Sequence, residues 1–170
     1  MDETLTLIEK TAFLKSVDLL TSIPTEALAE LAARAQEIHC DPGDVLFGEG
    51  DSNRGTFLVV DGLIEIRKGS ALIRMLRERM VFGELFLDHD EPHQYTAIAS
   101  QHSHVLNLQS HDVVDGMLDF PEFGVAVARS LALRINQLTA RVLELEKLLD
   151  RFHSALREAG LEPPASDAGG

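Results

Sequence analysis

The sequence predicts a mainly β chain with flanking helices: a sandwich or jelly roll over residues 41–109, helices before it, and one long helix after it. Three observations carry this. Residues 5–38 hold apolar side chains at helical spacing. Residues 41–109 break into short apolar runs separated by Gly, Pro and Asp. Residues 131–156 repeat apolar side chains at alternating intervals of four and three.

In "LIEKTAFLKSVDLL", Leu7, Ile8, Phe13, Leu14, Val17 and Leu20 form the first helical pattern. "TSIPTEALAELAARAQEI" holds a second start, with Pro24 at a turn or first-turn position and Thr25 as the expected cap. From Asp41 the breaks are Pro42-Gly43, Gly48, Gly50-Asp51, Asp61-Gly62 and Gly69-Ser70. Ile64 and Ile66 alternate with Glu65 and Arg67, and Ile73 and Met75 flank Arg74, which is strand periodicity. "YTAIAS" and "HVLNL" add two more short strands. "HDVVDGMLDFPEF" reads as a short helix or two, broken near Pro121.

The last periodic segment is the longest. Leu131, Ile135, Leu138, Val142, Leu145, Leu149, Phe152 and Leu156 follow a heptad seam, with Arg141 and Glu146 at flanking g and e positions. A stripe this narrow fits a parallel two-helix coiled coil, so it predicts a homodimer interface rather than a face folded back on its own domain. The tail "GLEPPASDAGG" is disordered by composition. The predicted layout is helices over 1–38, strands over 39–110, a hinge and long helix over 111–159, and a tail over 160–170.

Bulk properties narrow the function. With 170 residues, 45% hydrophobic and 25% charged, one domain with a real core is expected. No apolar run approaches the ~18 residues that span a bilayer. "MDETLTLIEK" lacks the layout of a secretory signal, and a single Cys40 forms no internal disulfide, so a cytoplasmic location is expected. The 28 acidic against 15 basic residues give a formal charge of −13, which opposes contact with nucleic acid or anionic membranes.

Between residues 42 and 66 the text is "PGDVLFGEGDSNRGTFLVVDGLIEI". "FGELFL" follows at 82–87, and Pro92 stands eight residues after Glu84. In combination with the glycines at 43, 50, 55 and 62, this resembles the cyclic-nucleotide-binding domain of bacterial catabolite activators and of the regulatory subunits of cyclic-AMP-dependent protein kinase. The likeness covers about residues 10 to 145. It implies a double-stranded β-helix, a jelly-roll-like β-roll of eight strands, with N-terminal helices and a long C-terminal dimerisation helix. It also implies a ligand, cAMP or cGMP, held inside the roll against a phosphate-binding cassette over residues 82–97. Phe82, Gly83, Glu84 and Leu85 match the start of that cassette. There backbone N–H groups face the phosphate, and the acid accepts the ribose hydroxyl.

The chain departs from the family at the cation. An Arg should follow the cassette's proline, but the text is "PHQYT". His93 or Gln94 takes that position, depending on cassette length, with hydroxyls from Tyr95 and Thr96 nearby. A charge-assisted hydrogen bond contributes ~1.5–3 kcal/mol, and a buried charge left unpaired costs ~3–5 kcal/mol. The expected loss of affinity is roughly ten- to several-thousand-fold. Protonated His93 is one substitute cation; Arg74, Arg77 or Arg79 is another, and Arg79 also replaces a glycine the family has in that turn. Thr139 lies where the family sets a hydroxyl near the base.

Other chemistry finds less support. His102 and His104 in "HSH" suggest a chelating pair, but the Glu and downstream His that a cupin metal site needs are missing, so no metal site is assigned. No nucleophile elbow, P-loop or metalloprotease motif is present, so no enzyme is predicted and no cofactor is called for. No helix-turn-helix follows the long helix, so no nucleic-acid partner is expected. Two functions follow. One is a homodimeric sensor that binds a cyclic nucleotide or similar small anion and couples it to the dimerisation helix. The other is a degenerate domain that binds no nucleotide and serves dimerisation or an unknown protein partner.

Overall fold

The computed structural model describes residues 4–52, 54–83 and 92–159. Helices α1 (Leu7–Ser16) and α2 (Thr25–Arg34) come first. Thr6 caps α1 with a capping box. Its hydroxyl accepts the Glu9 N–H at 3.3 Å, and the Glu9 carboxylate accepts the Thr6 N–H at 2.8 Å. In α2 the cap is Pro24, without a side-chain bond, and Thr25 is already helical. Helical structure stops at Arg34, short of the predicted limit at residue 38. Ala35 turns extended, and the chain enters a strand at Gln36.

Among the described residues eight strands follow: β1 (Gln36–Cys40), β2 (Val45–Phe47), β3 (Thr56–Asp61), β4 (Ile64–Lys68), β5 (Ala71–Leu76), β6 (Val81–Gly83), β7 (Thr96–Ala99) and β8 (Ser103–Leu108). They form two antiparallel sheets ordered β1-β8-β3-β6 and β2-β7-β4-β5. Most connections carry the chain from one sheet to the other, the arrangement of a jelly roll. Between the sheets lies a core of Phe47, Phe57, Val59, Ile64, Ile66, Leu76, Phe82, Ala97, Ala99 and Val105. Leu58 and Leu106, opposite one another on β3 and β8, are fully buried outside that inter-sheet core. The outer face of this sheet is therefore covered as well. Lys10 of α1 reaches it, meeting Glu37 of β1 at 2.8 Å.

The turn into β6 carries a strained residue. Arg79 has φ +66, a left-handed conformation that costs a non-glycine residue about 1–2 kcal/mol. Its N–H donates to the Val59 carbonyl at 2.8 Å, and the Met80 N–H donates to the Arg77 carbonyl at 3.0 Å. The geometry is thus held by backbone bonds on both sides.

Helices α3 (Ser110–Asp119) and α4 (Pro121–Glu158) complete the described chain. Pro121 opens α4, where its missing N–H costs no bond. Phe123, Ala126, Val127 and Ser130 are buried, and the Ser130 hydroxyl donates to the Leu19 carbonyl. Residues up to Ser130 form one compact unit, and those from Leu131 a second. In the second unit the helix is continuous to Glu158, and almost every side chain is exposed. Among the described residues, no helix is long and apolar enough to cross a membrane.

Candidate functional site

Strand β6 delivers the chain to the expected cassette at Gly83. This residue has φ +85, and a Cβ there would stand 2.6 Å from the Gly55 carbonyl oxygen and 2.9 Å from Phe57 Cδ2. Only glycine fits both the conformation and the space. Glu84 and Leu85 lie outside the described residues. Phe82 is buried and packs on Phe57 and Phe47, with ring centroids at 5.3 and 6.1 Å.

Residues 92–96 are tied to the loop after β2. The Gly50 N–H donates to the His93 carbonyl at 2.8 Å, and the His93 N–H donates to the Asp51 carbonyl at 2.9 Å. The Thr96 hydroxyl accepts the Glu49 N–H at 3.0 Å. Gln94 is exposed and donates to the Pro92 carbonyl at 3.3 Å. Tyr95 is half-buried, with its hydroxyl 3.4 Å from the Gly83 carbonyl oxygen.

His93 is 1% exposed. Its ring stacks on Phe47 with centroids 3.7 Å apart and planes 14° from parallel. Its Nε2 accepts the Arg54 N–H at 3.2 Å. An Nε2 that accepts this bond carries no proton itself. The Arg54 carbonyl in turn accepts from the buried Asn107 amide at 2.9 Å. His93, the Arg54 peptide and Asn107 thus form one buried polar chain. Phe47, Phe57, Phe82, His93 and Tyr95 together fill this end of the roll with rings. Sequence reasoning placed His93 either at a ligand or on a surface loop; its burial removes the surface-loop alternative.

The arginines offered as substitute cations stand on the surface. Arg74, Arg77 and Arg79 are exposed, and Arg79 meets Glu78 at 3.2 Å. A cleft of about 400 Å³ opens elsewhere, lined in part by Gln36, Leu46, Arg54, Asn107, Gln109 and His111. None of its lining residues was predicted to touch a ligand. Cys40 is buried, and its thiol is pushed up by burial, then by Asp44 and Asp41, which leaves it a poor nucleophile.

On α4, Thr139 is exposed. Ile135, Leu138, Val142, Leu145, Leu149 and Phe152 are between 48% and 63% exposed. Leu131 and Leu156, at the ends of the seam, are half-buried. Leu148 is exposed beside the seam and widens it.

The "HSH" pair does not converge. His102 precedes β8, and its Nδ1 lies 3.2 Å from Asp41. His104 instead faces His39 across the β1–β8 ladder. Sequence reasoning missed this pair because the two residues are brought together only by strand pairing.

Comparison with known proteins gives a consistent result. Residues 37–119 match the model of the cyclic nucleotide-binding domain, from β1 to the last residue of α3. A rat voltage-gated delayed rectifier potassium channel, KCNH1, is 28% identical over 111 residues, 64% of this chain and 12% of the channel. This chain therefore spans a small fraction of the curated relatives it matches. The N-terminal domain of a transcriptional regulator from Streptomyces coelicolor superposes with a TM-score of 0.68 at 25% identity, covering 76% of this chain and 94% of that one. A cAMP-bound PfPKA-R shares the fold with a TM-score of 0.60 at 18% identity, covering 92% and 49%.

Proposed function

We propose that this chain, whose residues 37–119 match the model of the cyclic nucleotide-binding domain, is a regulatory module of that family whose roll is a scaffold and whose long helix is its means of assembly. In this reading the cassette no longer grips a cyclic nucleotide in the family's usual way. The helix pairs the chain with a second copy or with a protein partner. Neither catalysis nor contact with nucleic acid has a part in it.

The observation that carries this reading is the place of His93. His93, one of the two residues that the resemblance sets at the family's phosphate-binding Arg, is a buried ring stacked on Phe47 that accepts the Arg54 N–H. To meet a phosphate it would have to leave Phe47, take a proton and abandon the Arg54 N–H. Losing one buried packing contact and one hydrogen bond costs on the order of 2–4 kcal/mol. That would weaken a ligand by roughly thirty- to a thousand-fold. The helix supplies the other half. Six seam residues half-exposed on one helix are more apolar surface than an isolated helix retains without a partner. Light scattering at micromolar concentration tests the assembly. A dimer mass supports it, and a monomer mass removes the self-pairing seam.

A second reading keeps the sensor, and Gly83 favours it. The left-handed glycine that leads into the cassette is intact. A cyclic nucleotide or other small anion would then sit at Phe82, Gly83, Glu84 and Leu85 with Gln94, Tyr95 and Thr96. Ligand affinity that rises on going from pH 8 to pH 6 would mark this reading, with His93 protonated by the ligand.

A further inference from the structure

We propose that Glu37, His39 and His104 form a binding site for a divalent transition-metal ion of the zinc type. The site is separate from the cassette and independent of how the cassette is read. Glu37 and His39 are two apart on β1, so both side chains stand on the same face of the sheet. His104 of β8 is the direct register partner of His39. The two imidazoles stack with centroids 4.2 Å apart. His104 Nε2 lies 3.0 Å from Glu37 Oε2. One ligand atom from each of the three residues lies within 4.8 Å of the others.

The His104–Glu37 separation suits zinc. With bonds of ~2.0–2.1 Å to nitrogen and oxygen, tetrahedral ligand atoms stand ~3.3 Å apart. The His104–Glu37 contact needs to open by only a few tenths of an ångström. Two imidazoles and one carboxylate are the donors such ions prefer over calcium or magnesium. Among the described residues, Lys10 opposes a cation here, but it bonds the other carboxylate oxygen, Oε1, at 2.8 Å. The Leu5 N–H donates to Oε2 at 3.0 Å, which leaves that oxygen a second lone pair, and His104 Nε2 lies 3.0 Å from it. The carboxylate can thus hold Lys10 and an ion at once. An ion bound here would fasten the N-terminal segment, through Glu37, to the β1–β8 ladder.

The test is calorimetric titration of chelator-treated, tag-free protein with Zn²⁺. One saturable site per chain is expected. His39→Ala and His104→Ala should each weaken it at least tenfold, the double variant should abolish it, and His102→Ala should leave it unchanged. Bound Co²⁺ should give visible d–d absorption that the double variant lacks. Should the variants fail to fold, zinc protection of His39 and His104 from diethylpyrocarbonate, mapped by mass spectrometry on the unaltered protein, decides the matter. Absence of saturable zinc binding overturns the proposal. So does binding that survives the double variant, or modification of both histidines undiminished by zinc.

Discussion

The imidazole of His93 lies flat on the ring of Phe47, centroids 3.7 Å apart, and accepts the Arg54 N–H through Nε2. This pairing joins the end of the expected cassette to β2 and to the loop before β3. It makes His93 part of the buried ring packing. His93→Ala should therefore destabilise the fold by about 2–4 kcal/mol, from a buried void and an unsatisfied Arg54 N–H. Urea denaturation measures it. A change under about 0.5 kcal/mol would mean that the ring does not support the roll.

Arg79 and Gly83 give opposite predictions from the same physics. Arg79 holds a left-handed φ of +66 with its side chain exposed. Arg79→Gly removes strain of about 1–2 kcal/mol and adds about 0.5–1 kcal/mol of unfolded-chain entropy. The net expectation is a gain of roughly 0.5–1 kcal/mol, read as a raised melting temperature. A loss of stability would show that the Arg79 side chain contributes more than its conformation costs.

Gly83→Ala should cost at least about 2 kcal/mol, since φ +85 is combined with a Cβ 2.6 Å from a backbone oxygen. Thermal unfolding by circular dichroism reads this directly. Unchanged stability would mean that the Gly55 and Gly83 backbones can separate freely.

Glu37 sets a pH dependence. Burial pushes its carboxyl up, but hydrogen bonds from Lys10 and the Leu5 N–H, with the charges of Lys10 and His104, hold it below its ordinary value. A carboxyl depressed on folding stabilises the protein above the unfolded pKa of ~4.3. That contribution is lost as pH falls through the lower folded value. Acid titration of stability should be less steep in Glu37→Gln than in the unaltered chain. Identical acid limbs would dismiss Glu37 as the tie between the N-terminal segment and β1.

Much of this was legible in the sequence, for local reasons. Turn residues and period-two runs marked the strands, and Pro121 with the heptad marked the long helix, because both signals are carried by near neighbours. The register that sets His39 against His104 was not legible, since 65 positions separate them and only the β1–β8 ladder joins them. The fate of His93 was hidden for the same reason. Phe47 and Arg54 reach it from β2 and the loop before β3, and a histidine in an acidic, proline-containing stretch looks like surface. The end of α2 was overrun because Gln36-Glu37-Ile38 is acceptable helix text that strand pairing with β8 overrides.

The seam of α4 gives a clear variant. Val142→Glu with Leu145→Glu puts two charges on adjacent seam positions that are exposed in the single chain. The pair should halve the mass seen by light scattering while the melting of the roll stays within a few degrees. A dimer that survives both charges would place the interface elsewhere.

Calorimetric titration with cAMP and with cGMP, to millimolar ligand at pH 8 and pH 6, bears most directly on the scaffold reading. That reading predicts no binding heat from either nucleotide at either pH. Saturable binding of one nucleotide per chain, lost in Glu84→Ala, would contradict it and return the roll to the sensors.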